Sequence, residues 1–170
     1  LLAELAVADW SAVYLRDNLG STASVAAYGY ACFSLTMVAS RFLADRITAR
    51  LGYLRMLRGG GLAAGTALAI GLLTNTVAGS VIGWGVVGIG MAAVVPIVFT
   101  MSGNLPGVPT GAALSKVAGV GYLGSMIGPP LIGVTAEATS LKAALLLVAV
   151  ACLTIGVIGP QAARHTSARN

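Results

Sequence analysis

Apolar residues gather in six blocks along this chain: Leu1–Leu15, Ser24–Ala44, Met56–Thr76, Gly79–Met101, Ala112–Ala136 and Leu141–Gly159. Short polar connections separate them. A hydrocarbon core of about 30 Å takes about 20 apolar residues as a helix, and five of the blocks approach or reach that length. The first is short, starts without methionine and reads as the outer end of a truncated helix, so the chain is expected to be a piece of a larger protein. Polar and apolar positions do not alternate within the blocks, as the strands of a lipid-facing barrel require. Helices satisfy their own backbone hydrogen bonds, which hydrocarbon cannot do for them. The pattern therefore predicts an all-α polytopic membrane protein. It is read as a six-helix bundle over 1–160, followed by a polar tail over 161–170.

The polar punctuation supplies helix ends. Ser21, Thr22 or Ser24 is expected to cap the second helix, Thr110 the fifth, and Thr139 or Ser140 the sixth. Pro96 is expected to bend the fourth helix. Leu105–Pro109 reads as a turn, 40–52 is the longest charged stretch, and the second helix is expected to end near Ala44 with a connection around Asp45–Arg55. The glycine pairs Gly61/Gly65, Gly79/Gly83 and Gly124/Gly128 suit close helix packing in lipid.

Composition agrees with burial in lipid: 57% of residues are hydrophobic and 9% charged, with mean hydropathy +0.91. The net charge of +5 does not point to nucleic acid, because of its distribution. With alternating spans, Arg41, Arg46, Arg50, Arg55, Arg58, Lys116, Arg164 and Arg169 fall on one side, and only Arg16 and Lys142 on the other. The side rich in Lys and Arg is expected to be cytoplasmic, the C-terminal tail included. Cys32 and Cys152 lie inside apolar spans and read as small buried hydrophobes. The lone His165 sits in the tail, so neither a metal site nor a cofactor is expected.

Chemistry at membrane depth narrows to a few side chains. Glu4 precedes Arg16 by twelve positions, about 18 Å of helix, which puts a carboxylate near the midplane if Arg16 marks the interface. A carboxylate there is costly and is read as a proton or polar-substrate site. Trp10, Ser11 and Tyr14 adjoin Glu4 on the helical arc, whereas Asp9 points elsewhere and is favoured as structural. The third and sixth spans carry no aromatic residue and read as lipid-facing supports. The other four carry Trp10, Tyr14, Tyr28, Tyr30, Phe33, Trp84, Phe99 and Tyr122 and are expected to line a cavity. Trp10, Tyr14, Tyr30 and Tyr122 are candidate stacking partners for a solute, with interfacial anchoring the competing reading for Trp10 and Tyr14, and Trp84 is a further candidate on the cavity face.

The segment 40–52, with Asp45-Arg46 followed by Arg50 and Gly52, resembles the cytoplasmic loop signature of the major facilitator superfamily. Ser40 and Arg41 stand where that signature has a glycine, and Thr48 or Ala49 replaces its later glycine. The first block resembles the seventh helix of bacterial sugar and drug porters, and the Gly121-Tyr122…Gly133 stretch the eleventh. The chain is similar, over nearly all its length, to helices seven to twelve of such a transporter. The resemblance implies one half of a major facilitator fold in a bacterial inner membrane, completed by an N-terminal six-helix half. It implies alternating access for a small-molecule substrate, with proton coupling. It further implies that Asp45, Arg46 and Arg50 form a conformational latch, the acidic residue meeting a helix N-terminus of the opposite half. The competing readings are a non-transporting scaffold or receptor, and a membrane-embedded enzyme. No convergent catalytic constellation favours the enzyme.

Overall fold

The computed structural model describes the backbone through Ser167 and side chains through Gln161. The helices are α1 (Leu2–Val13), α2 (Ala23–Leu51), α3 (Tyr53–Leu73), α4 (Val77–Met91), α5 (Val94–Gly103), α6 (Thr110–Ala138) and α7 (Leu141–Ser167). A π-helical turn, Tyr14–Asn18, finishes α1. Five segments are long and apolar enough to cross a membrane, with α4 and α5 together forming one of them. The expected arrangement of helical spans is therefore observed, and the protein is an integral multi-pass membrane protein.

The fourth span is broken where its sequence demands it. Pro96 has no N–H for the carbonyl of Ala92, and its ring crowds that carbonyl. The helix lapses at Ala92–Ala93, and α5 resumes at a new start. Thr22 caps α2 by accepting the Val25 N–H (3.4 Å), and Ser140 Oγ accepts the Ala143 N–H (3.1 Å) at the head of α7. Thr110 does not cap α6. The N-cap position is Pro109, and Thr110 Oγ1 instead donates to the Gly103 carbonyl (3.2 Å), tying α6 to α5.

Two expectations about connections are corrected. The charged stretch after Ala44 is not a loop: α2 continues through Asp45, Arg46 and Arg50 to Leu51. Alternating charged and apolar residues with no proline or glycine before Gly52 leave nothing to stop a helix. Gly52 alone turns the chain, at φ 80°, a conformation that strains any residue with a Cβ. At the C-terminal end, α7 runs to Ser167, past the expected end at Gly159. The last tail residues, 168–170, lie outside the described residues.

Helix α3 packs closely against both α4 and α7, through glycine. Backbone meets backbone where Gly60 of α3 faces Gly90 of α4, and where Gly61 faces Gly156 of α7. The Gly59-Gly60-Gly61 run is therefore packing surface. Main-chain acceptors are also used between elements. Tyr14 Oη donates to Leu72 O (3.3 Å), Ser80 Oγ to Gly71 O (3.4 Å), and Thr36 Oγ1 lies 2.8 Å from Gly85 O. At one end of the bundle Lys142 Nζ donates to Asn75 Oδ1 (2.8 Å), joining the α3–α4 turn to the start of α7. The opposite end, around Gly52, is the basic end. Helix α1 lies between α2 and α6: Gly29 of α2 packs on Ser11 and Leu15, while Gly128 and Gly133 of α6 face Leu2 and Trp10. The face that carries α1 is the front of the bundle.

Candidate functional site

Glu4 sits in the first turns of α1, with 21% of its side chain exposed. Its Oε1 is 3.9 Å from Arg41 Nη2, an ion pair between α1 and α2. The separation exceeds a hydrogen bond, so the two charges attract without directional bonding. Arg41 is the more open partner, half exposed.

Depth follows from helix geometry. With 29 residues, α2 is about 43 Å long at a rise of about 1.5 Å per residue. That exceeds a hydrocarbon core of about 30 Å by about 13 Å. Arg41 lies ten residues before Leu51, about 15 Å from the basic end. Even if all the excess length projects from that end, the Arg41 backbone lies at or inside the hydrocarbon edge, with its guanidinium 3.9 Å from the Glu4 carboxylate. Ionisable groups at such depth face protein or a water-filled cavity.

A small cavity of ≈ 100 Å³ adjoins Glu4, walled by Leu2, Met91, Val94, Cys152 and Ile155 among others. The Ala92–Ala93 break in the fourth span falls between Met91 and Val94, and so borders the same space. Farther along α1, Asp9 is exposed and Trp10 half-buried.

The other candidates separate into two groups. Tyr30 and Tyr122 are exposed, on α2 and α6, and Tyr30 stacks with Phe33 (centroids 6.2 Å apart). Ser11, Tyr14 and Trp84 are packed inside the bundle, each at most 1% exposed. Tyr14 spends its hydroxyl on Leu72. The Ser11 hydroxyl and the indole N–H groups of Trp10 and Trp84 have no hydrogen-bond partner among the described residues. The structure thus does not bring Trp84 to an open surface alongside Glu4. Aromatic content therefore does not tell which side of each helix is open: Tyr30 and Tyr122 are exposed, Tyr14 and Trp84 are not.

Asp45, Arg46 and Arg50 are exposed on the last turns of α2, at the basic end, with Arg46 and Arg50 one turn apart. Asp45 forms no salt bridge among the described residues. It borders a cleft of ≈ 480 Å³ between α2, α3 and α5, with Thr48, Tyr53, Pro96, Ile97 and Thr100 in its walls. Beneath the cleft a satellite core of Ala44, Leu57, Ala93 and Ile97 holds α5 in place, separate from the main core. At the other end, Arg16 Nε bonds Asp17 (2.6 Å) and holds that carboxyl below its usual range. Both groups are exposed, so the pair adds little stability.

Arg41, a candidate through its pairing with Glu4, reads in the sequence only as one of the charges that orient the chain. Two signals mark it in the sequence. It stands in the region where the loop signature has a glycine, and it is enclosed by Val38, Ala39, Phe42 and Leu43.

Comparison with known proteins gives a consistent picture. A family model described as the Major Facilitator Superfamily matches residues 5–164. The chain is 38% identical over 154 residues to an uncharacterized MFS-type transporter of Yersinia pestis, covering 91% of this chain and 40% of that protein. It is 35% identical to membrane protein MosC of Rhizobium meliloti, covering 90% of this chain and 37% of that protein. A third relative, an uncharacterized transporter of Sinorhizobium fredii, is 35% identical over 94% of this chain and 42% of its own length. The chain thus spans about two fifths of the length of these curated relatives. No solved structure matches it.

Proposed function

The chain belongs to the Major Facilitator Superfamily, and from that premise we propose that it is the second six-helix half of a proton-coupled transporter that moves a small solute by alternating access. The observation that carries the reading is the Glu4–Arg41 pair at membrane depth, bordered by a cavity and placed between α1 and α2. A carboxylate that keeps an imperfect partner and some exposure can exchange a proton as the site opens to one side and then the other. Tyr30 and Tyr122 flank the front as stacking surfaces for the solute. Asp9 and Trp10 border it farther along α1. Family membership favours transport over enzymatic chemistry, and the relatives' greater length supports a missing N-terminal half that supplies the other wall.

We place the basic end in the cytoplasm of a bacterial cell, on the asymmetry of Lys and Arg. Single cysteines at Asn18, Asn75 and Thr139, in a protein free of Cys32 and Cys152, are expected to react with an impermeant thiol reagent from outside. Cysteines at Thr48 and Val108 are expected to stay protected until the membrane is opened. The reverse labelling would overturn the orientation.

At the cytoplasmic end, Asp45 beside the ≈ 480 Å³ cleft supports the latch. A helix N-terminus from the other half, seated against this carboxylate, is stabilised by up to ~2 kcal/mol when partly buried. The contact exists only in the state closed to the cytoplasm, so losing it shifts the population by that difference. Asp45→Asn is expected to raise the inward-open population several-fold, read as spin-label distance distributions across the cytoplasmic face of the full-length protein. Arg46→Ala should act in the same direction with smaller effect, and Arg50 braces the same turn. Unchanged distributions in Asp45→Asn would reduce the segment to an orientation signal. The transport reading is tested directly by reconstituting the full-length protein and asking whether an imposed pH gradient drives solute uptake.

A further inference from the structure

We propose that Arg41 is the recognition residue for a singly charged organic anion of the carboxylate class, and that Glu4 is the internal anion this substrate displaces, so that substrate and proton enter the site together. The inference rests on the transport reading above and specifies both its substrate class and its direction of coupling.

The geometry of the pair separates an anion from a cation. The guanidinium is half exposed and the carboxylate only 21% exposed, so Arg41 is the more accessible of the two charges. A guanidinium carries five N–H donors in a planar fork. Among the described residues Arg41 makes no hydrogen bond, and its one ion pair, at 3.9 Å, is too long to be one. The fork is thus held in place by charge with its donors unspent. A carboxylate accepts two of them in parallel, the geometry for which arginine is better suited than lysine. Val38 and Phe42, 54% and 80% exposed beside Arg41, offer an apolar surface to the rest of the solute.

Charge balance then determines the coupling. Glu4 and Arg41 together are neutral. Adding a monoanion alone leaves one net negative charge at membrane depth, which a weakly polarisable setting disfavours. Adding the anion with one proton, which binds a Glu4 oxygen, leaves the site neutral: carboxylate on guanidinium, and carboxylic acid beside it. A dianion would leave the site charged even with that proton. No covalent bond to carbon forms or breaks, and the proton returns to water when the anion leaves and Glu4 pairs with Arg41 again.

The groups facing Glu4 permit this exchange. Arg41 faces it from α2, Cys152 of α7 lines the cavity it adjoins, and Met91 and Val94 bring nothing titratable from α4 and α5. From α6, the segment packed on Leu1 and Leu2 carries Tyr122, which is largely exposed. Asp9, on α1 itself, is five residues away and points outward.

The test is equilibrium binding to the purified full-length protein, read as ligand-dependent thermal protection. Lactate and benzoate are compared with their neutral amides, lactamide and benzamide, at several pH values above the range in which the free acids titrate. Carboxylates are expected to protect and amides not. The apparent dissociation constant for a carboxylate should rise about tenfold per pH unit once Glu4 is ionised in the empty site, because each binding event takes up one proton. Glu4→Gln should bind carboxylates without that slope. Arg41→Gln should lose protection, and Arg41→Lys, which keeps the charge without the fork, should keep a weakened form of it. If Arg41→Gln does not fold, Arg41→Lys and the amide comparison decide. Equal protection by amides, full protection in Arg41→Gln, a retained slope in Glu4→Gln, or no protection by either carboxylate each overturns the proposal. If the carboxylates fail while a pH gradient still drives uptake of a neutral solute, the transport reading survives and only the anion assignment falls.

Discussion

Glu4→Gln in the full-length transporter is expected to abolish gradient-driven accumulation while leaving solute exchange intact. With one proton moved per solute in an electroneutral cycle, a gradient of one pH unit sustains about tenfold accumulation, since about 1.4 kcal/mol corresponds to a factor of ten. Glutamine keeps the shape and a hydrogen-bonding oxygen but cannot carry the proton, so the ratio should fall to one. Exchange of labelled for unlabelled solute needs no net proton movement and should persist. The motivation is the partly open carboxylate at membrane depth, 3.9 Å from Arg41. Wild-type accumulation by Glu4→Gln would remove Glu4 from coupling and leave it a structural partner of α2.

The second large effect concerns three consecutive glycines with three different surroundings. Gly59 has nothing near the place its Cβ would occupy. Gly60 faces the Gly90 backbone, and a methyl on Gly61 would sit 2.8 Å from Cys152 O. Gly60→Ala and Gly61→Ala must push backbone against backbone, which cannot rotate away as a side chain can. Each is expected to cost about 1–3 kcal/mol, the usual range for overpacking. Gly59→Ala should be neutral or stabilising by up to about 1 kcal/mol, because alanine restricts the unfolded chain and favours helix. Unfolding of the full-length protein in detergent, monitored by circular dichroism, separates the three. Equal stability of Gly59→Ala and Gly60→Ala would show that α3 and α4 are not in the close contact described.

Much of this protein is legible from its linear pattern because lipid imposes a local rule. Every span must satisfy its own backbone and present apolar side chains, so span number, helical class and turn positions follow from residues near each other in sequence. The bend at Pro96 is local in the same way, as is the cap at Thr22. Charge over Asp45–Leu51 suggests a loop, yet the segment is helical, because a helix extending past the bilayer carries charge without penalty. Gly52, with its positive φ, was the better marker of the boundary.

The composition of the site depended on contacts between distant segments. Glu4 was conspicuous alone, because a carboxylate in an apolar block is costly whatever surrounds it. Arg41 was not, because thirty-seven positions separate it from Glu4 and nothing local states that α1 and α2 cross there. Helical periodicity placed Ser11 and Tyr14 on the arc of Glu4, yet both are packed within the bundle, Ser11 beside Gly29 and Tyr14 bonded to Leu72. Trp84 likewise faces inward, at 0% exposure. A membrane helix lacks the polar outer face that tells a soluble helix which way to turn, since lipid is as apolar as the core. By itself the sequence determined that the chain spans a membrane as helices, where they begin and bend, and which charge stands out. Only the tertiary structure decided which sides of those helices are open and which cation answers Glu4, because in an apolar solvent the packing of small residues between helices, not hydrophobicity, orients each span.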